Sequence, residues 1–168
     1  SNNFQRNRKT DMRLYIIRHA SAQSASEANV SDDSQRPLSE KGIAEAQLLG
    51  AYLKSKGVRL DLVLHSPLVR ATETAQLLSE KVGCRAIPEN RLSTECGVRT
   101  HLDVLSECKQ IEHLAIIGHQ PTLGELIVRL DNFDRPFSPG SMVVMDISFS
   151  DRGAPAGKLV SVHSPETM

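Results

Sequence analysis

Three short apolar runs, each stopping at basic or imidazole side chains, constrain this chain more than any other feature. Leu14 to Ile17 runs into Arg18-His19, Leu62 to Leu64 into His65-Ser66, and Leu114 to Ile117 into Gly118-His119. Runs this short cannot be helices, and they lack the alternation of a sheet with one wet face. Buried strands of a parallel sheet read this way, because helices cover both of its faces. Helical stripes do separate them: Ile43, Ala46, Leu49, Tyr52 and Leu53 after the first run, then Leu77, Leu78 and Val82 after the second. Strand and helix in alternation predict a three-layer α/β/α fold with a mainly parallel central sheet. In such sheets ligands sit outside the carboxyl ends of the strands, so Arg18, His19, Arg70 and His119 are expected around one point.

Taken in order, Met12 to Ile17 is the first strand and Ala20 to Gln35 a long mobile loop of small and polar residues. Ser39 is the expected N-cap of the next helix, which Gly57 ends. Ser66-Pro67 reads as a second helix start, serine capping and proline first, with Arg70 in the opening turn. Arg85 to Ile87 is a short strand and Pro88 to Gly97 a loop. Val98 to Cys108 and the segment after Pro121 are further helices, the latter with Leu123, Leu126, Ile127 and Leu130 at 3-and-4 spacing. Ser141 to Phe149 and Lys158 to His163 are a closing and an edge strand, turned at Asp151-Arg152-Gly153. The organisation expected is a flexible leader, residues 1–11, and one domain, residues 12–168.

At 168 residues the chain is long enough for a real core. Lys plus Arg and Asp plus Glu balance at 20 each, which removes the global field of a nucleic-acid or anionic-membrane binder and confines any positive patch to one place. Cys84, Cys96 and Cys108 are odd in number and lack metal-ligand spacing, so free thiols in the cytoplasm are expected. The leader has no apolar core and reads as neither a secretory signal nor an anchor. No apolar run approaches the ~20 residues of a bilayer span.

Two arginines from different elements can grip a phosphoryl group from different sides, each through a planar fork. A neutral imidazole can attack phosphorus directly, and the reference pKa of ~6.5 makes it available near neutrality without an activating base. Nearby guanidinium charges bias it further toward neutral. A zinc hydrolase with His19, His65 and His119 as ligands is the second enzyme class the residues offer, but two arginines would repel the cation and no carboxylate follows the strand ends. His65 reads as a packing residue beneath the site, and His101, His113 and His163 have no evident partner.

The motifs RHA at Arg18 to Ala20, SPLVRATETA at Ser66 to Ala75 and GH at Gly118-His119, in that order and each after a predicted strand, resemble the histidine phosphatase superfamily, also called phosphoglycerate-mutase-like. The resemblance covers nearly the whole chain after the leader. It implies that His19 is the phosphorylated nucleophile, that Arg18, Arg70 and His119 bind the phosphoryl group, and that no metal or other cofactor takes part. The short chain, RHA in place of RHG, and RPLSEKG at Arg36 to Gly42 look most like the SixA-type phosphohistidine phosphatases. That resemblance implies a phosphohistidine-bearing phosphotransfer protein as substrate and Arg36 as a further phosphate contact, while the charge balance argues for neither nucleic acid nor membrane as a partner. Pairing of Arg36 with Asp32 or Asp33 is the competing reading.

Ala22, Gln23 and Ser24 stand where many members carry a threonine followed by an asparagine. Glu89 and Glu95 lie where a general acid is expected, in no clear motif, and imidazole leaves far more easily than an alkoxide. The alternatives are a phosphatase of small phosphate esters and a signalling module that binds a phosphorylated partner without turning it over.

Overall fold

The computed structural model describes residues 10–168. Its strands are β1 (Met12–Arg18), β2 (Leu62–His65), β3 (Ala86–Pro88), β4 (His113–Gly118), β5 (Met142–Phe149) and β6 (Pro155–His163). The helices are α1 (Ala25–Ala28), α2 (Glu40–Ser55), α3 (Val69–Val82), α4 (Val98–Glu107) and α5 (Thr122–Asp131). All six strands join one sheet in the order β3-β2-β4-β1-β5-β6. The first four in that order are parallel, and β5 and β6 extend the sheet antiparallel. The mainly parallel three-layer reading holds.

Alternation along the strands divides the core into two. Leu14 and Ile16 of β1, with Leu114 and Ile116 of β4, pack with Val104 and Leu105 of α4 and Leu123, Leu126 and Ile127 of α5. Tyr15, Ile17, Ala115 and Ile117 face the other way, onto Leu49 and Leu53 of α2 and Ala71, Ala75 and Leu78 of α3. Side chains on a strand alternate between faces, so a continuous apolar run is what a sheet with helices on both sides requires. Each fully buried Leu or Ile contributes roughly 1.5–3 kcal/mol over exposure.

Register brings the strand ends level. Arg18 is opposite Gly118 and His65 opposite Ile117. The His19 amide donates to Gly118 O at 3.1 Å and the Ser66 amide to Ile117 O at 3.0 Å, so pairing reaches the residues that leave the strands. On the far side of β1 the Gly140 amide is shared between Arg18 O at 3.1 Å and His19 O at 3.2 Å.

Several local expectations need correction. The helix after β2 begins at Val69, its cap position is Leu68, and no side chain caps it. Ser66 is not the N-cap because Leu68 stays extended between it and the helix, and the serine hydroxyl instead accepts from the Leu68 amide at 3.2 Å. The segment expected to be a mobile loop carries α1, capped by Ser24, and a single 3-10 turn, Asp33–Gln35, capped by Asp32. A second such turn, Asn90–Leu92, buries Leu92 within the expected loop before α4. The short strand lies one residue later than read, at Ala86–Pro88. The expected leader, Ser1 to Asp11, lies outside the described residues through position 9, but Asp11 is held to the sheet, its amide donating to Ile147 O at 2.9 Å. Cys84, Cys96 and Cys108 are unpaired thiols. Among the described residues no helix is long and apolar enough to cross a membrane.

Candidate functional site

The loop after β1 is shaped by the start of α2. Ser39 Oγ accepts from the Gly42 amide at 3.1 Å, as an N-cap should, and donates to Ser21 O at 3.2 Å. Glu45, one turn further on, accepts from the Ser21 amide at 2.9 Å. A Cβ on Gly42 would stand 1.9 Å from Ser21 O, so only glycine permits this approach. Thr74 supports the same loop from the other side, accepting from the Ala20 amide at 3.1 Å and donating to Arg70 O at 2.7 Å. The loop carrying His19 and the helix carrying Arg70 are therefore fastened through one hydroxyl.

His19 and His119 meet with ring centroids 5.0 Å apart and planes tilted by 51°. His19 Nδ1 lies 2.8 Å from Ala20 O, a group that can only accept, so Nδ1 carries the ring proton and Nε2 keeps its lone pair. His119 Nε2 lies 2.7 Å from Ser66 Oγ. That hydroxyl also accepts from the Leu68 amide at 3.2 Å, so one serine ties the His119 ring to the turn ahead of the helix and leaves ring atom Nδ1 without a protein partner. His65, buried beneath, donates from Nδ1 to Ser66 O at 2.8 Å and so steadies the same turn.

Arg70, only 4% exposed, donates from Nη1 to Asp33 O at 2.9 Å and from Nη2 to the Asp33 carboxylate at 3.1 Å. Arg18 donates from Nη1 to Phe137 O at 2.8 Å. Five buried side-chain polar atoms among the described residues lack a hydrogen-bond partner, and three of them are Arg18 Nε, Arg70 Nε and His119 Nδ1. Unpartnered buried nitrogen is rare, and its concentration on these residues marks a place built for an acceptor-rich ligand. Arg36 pairs with Asp33, not Asp32, at 2.8 Å and also donates from Nη1 to Gln23 O at 2.9 Å.

Electrostatics favour neutral rings. Burial pushes His19 from its ordinary value down to about 4, against the Ala20 hydrogen bond, and the charges of Arg70, Arg18 and Arg36 push it the same way. Burial, then the neighbouring His19 and Arg70, lower His119 to about 3. An uncharged imidazole with a free Nε2, set among guanidinium groups, can attack an electrophile bearing negative charge. Glu89 caps the second 3-10 turn and bonds Arg91 at 2.8 Å, a pairing that lowers its pKa and leaves it a poor proton donor. Glu95 lines an open cleft of about 560 Å³ with Asp33, Pro67, Leu68, Asn90 and Cys96. Among the described residues no three His, Cys, Asp or Glu side chains group as a metal site would need, so His19, His65 and His119 are not a ligand set.

Sequence reasoning placed His19, His119, Arg18 and Arg70 at strand and helix ends but missed Ser66, Thr74 and the grip of Asp33 on Arg70. The first two lie inside the SPLVRATETA motif, which was the available signal. His101, His113 and His163, read as partnerless, bond Gly97 O, Asp61 and Tyr52, at 2.8, 3.1 and 3.2 Å respectively.

Fold and site together define an α/β protein that gathers histidine and arginine at the carboxyl ends of parallel strands. A sequence model of the histidine phosphatase superfamily (branch 1) matches residues 14–110, and the chain belongs to that superfamily. The phosphohistidine phosphatase SixA of Escherichia coli K12 is 27% identical over 150 residues, which cover 84% of this chain and 88% of that protein. The probable phosphoglycerate mutase GpmB of Cronobacter sakazakii is 32% identical over 99 residues, 57% of this chain but 45% of that one. The solved structure of the protein histidine phosphatase SixA complexed with tungstate matches with a TM-score of 0.79 at 24% identity, over 92% of this chain and 97% of that one. At that identity the structural match speaks to the fold.

Proposed function

We propose that the chain is a metal-independent phosphatase acting through a phosphohistidine intermediate on His19, with phosphohistidine on a phosphotransfer protein as its substrate. The observation that carries this reading is His19 itself. Its Nδ1 is committed to Ala20 O, its Nε2 lone pair is free, and its basicity is low enough to keep it uncharged near neutral pH.

In the first step Nε2 attacks phosphorus and the bond to the leaving group breaks. Arg18, Arg70 and His119 neutralise the charge spread over the transferring oxygens. A leaving imidazole protonated on its other nitrogen departs neutral, so the step makes little demand on a general acid, consistent with Glu89 being ion-paired. Water then attacks the phosphorylated His19 and releases inorganic phosphate. Arg36 stands at the rim, its charge felt at His19, and reaches the phosphoryl group once Asp33 yields it.

The choice of substrate is supported by similarity to SixA over most of both chains and by the open cleft beside the site. A panel comparing a phosphohistidine-bearing phosphotransfer protein, phosphoserine and phosphotyrosine peptides, and small sugar or glycerate phosphates tests it. The expected outcome is a kcat/KM highest for the phosphohistidine protein. Preference for the small esters would move the assignment to the ester phosphatases, and binding of the phosphorylated protein without turnover would make the chain a recognition module.

A further inference from the structure

Asp33 occupies an unusual place for a carboxylate. Its side chain, 63% exposed, is bonded at once to Arg36 Nε at 2.8 Å and to Arg70 Nη2 at 3.1 Å, two of the groups that the phosphatase reading assigns to the phosphoryl group. Its backbone carbonyl separately accepts from Arg70 Nη1 at 2.9 Å. The two contacts with Arg70 differ in kind. The carbonyl belongs to a 3-10 turn whose local hydrogen bonds fix it, so that bond orients the guanidinium. The carboxylate stands in solvent and can rotate away about its own side-chain torsions without disturbing the turn.

We infer that Asp33 is an internal anion that competes with the phosphoryl group for Arg70 and Arg36 and so holds down the affinity of the site for inorganic phosphate. A guanidinium fork can offer a given N–H to one acceptor at a time, so the arriving phosphoryl oxygen and the carboxylate exclude each other on Arg70 Nη2. Arg36, released by the same rotation, becomes free to turn inward. The arginine bonds keep Asp33 ionised, Arg36 contributing most, so the competitor is present at neutral pH. A phosphoprotein substrate brings contacts beyond the phosphoryl group and can displace the carboxylate, whereas inorganic phosphate has only its own oxygens. The carboxylate returns as phosphate leaves, which favours release of product.

This inference rests on the phosphate-binding role proposed for Arg70, and the test separates the two. Calorimetric titration of inorganic phosphate into the full chain is compared for wild type, Asp33→Ala and Arg70→Ala. Alanine keeps the backbone carbonyl, so the orienting bond to Arg70 survives. The expected result is a Kd for phosphate roughly three- to tenfold lower in Asp33→Ala, modest because the carboxylate is solvated, with product inhibition of turnover strengthened by the same factor. Asp33→Asn, which removes charge but little shape, is expected to move the same way by less. Phosphate bound equally or more weakly by Asp33→Ala, while Arg70→Ala loses it, overturns the inference alone and makes Asp33 a support for the arginines. Phosphate bound by Arg70→Ala as by wild type overturns the phosphate-binding assignment of Arg70 as well.

Discussion

The two ends of β4 carry a histidine each, and the pair are used in opposite ways. His113, where the strand begins, is partly exposed and shares Asp61 with Arg59, at 3.1 and 3.5 Å. His119, just past the end, is buried, bonded to a neutral serine hydroxyl, and influenced mainly by His19 and Arg70, with Asp33 the one acid acting on it. Arg13 and Arg70 differ in burial and not in having an acidic partner: Arg13 meets Asp146 at 2.9 Å at the partly exposed end of the strands, whereas Arg70 is buried at the other end and meets only the solvent-exposed carboxylate of Asp33, at 3.1 Å. Where basic groups meet acidic ones in solvent, the result is a charge-balanced surface worth about 0–1 kcal/mol per pair. Where they are buried and Asp33, itself largely in solvent, is the acid they share, folding has accepted a cost, and a further anion is the natural compensation.

The widest gap is expected between His19→Ala and His113→Ala. The first removes the nitrogen proposed to attack phosphorus and should lower turnover by about 10⁴-fold or more; the second should stay within about twofold. Steady-state kinetics decide, and substantial activity in His19→Ala would dissolve the distinction between the ends.

Stability against pH sharpens it next. His19 has a folded pKa of about 4 against ~6.5 unfolded, so below ~6.5 the unfolded chain takes up a proton that the folded one refuses. Stability is therefore lost as pH falls through that window, by up to about 3 kcal/mol from His19 alone. Urea midpoints between about pH 7 and 4.5 should show this slope, and His19→Ala should make it shallower while His119, lowered to about 3, keeps the remainder.

Arg70→Ala should remove roughly 2 kcal/mol of transition-state stabilisation, about 30-fold in kcat/KM, while Arg13→Ala leaves turnover within about twofold. Equal losses would mean that the two arginines serve only the fold.

Ser66→Ala against Asp61→Ala gives the smallest contrast. The first leaves buried His119 Nε2 without a partner and should lower kcat about tenfold, with His119 free to exchange tautomers. The second should cost less than about 1 kcal/mol in a denaturation curve. A nitrogen-detected spectrum of His119 unchanged by Ser66→Ala would show that the hydroxyl does not set the ring.

What the sequence made legible was whatever local pattern encodes. The apolar runs marked the strands, and the general rule for sheet ends then put Arg18, His19 and His119 side by side without any contact being known. Arg70 followed from its distance past β2. What stayed hidden depends on partners far apart in the chain. Ser66 and His119 are 53 residues apart, and Asp33 and Arg70 are 37. Ser66-Pro67 has the composition of a helix start, yet the serine was claimed by His119 and the helix begins three residues later. The serine still accepts from a nearby amide, that of Leu68, but in a turn ahead of the helix and not as its cap.

Gly42 leads to a last consequence. Because the backbone of α2 touches the chain at Ser21, two residues beyond His19, the loop that carries this ring is held between a helix on one side and paired strands on the other. Little freedom is left for it to surrender when phosphorus arrives, so part of the entropy of reaching the transition state has already been met during folding. Even a methyl group at position 42 would loosen that wedge and blunt the enzyme from a distance, with every reacting side chain still in place.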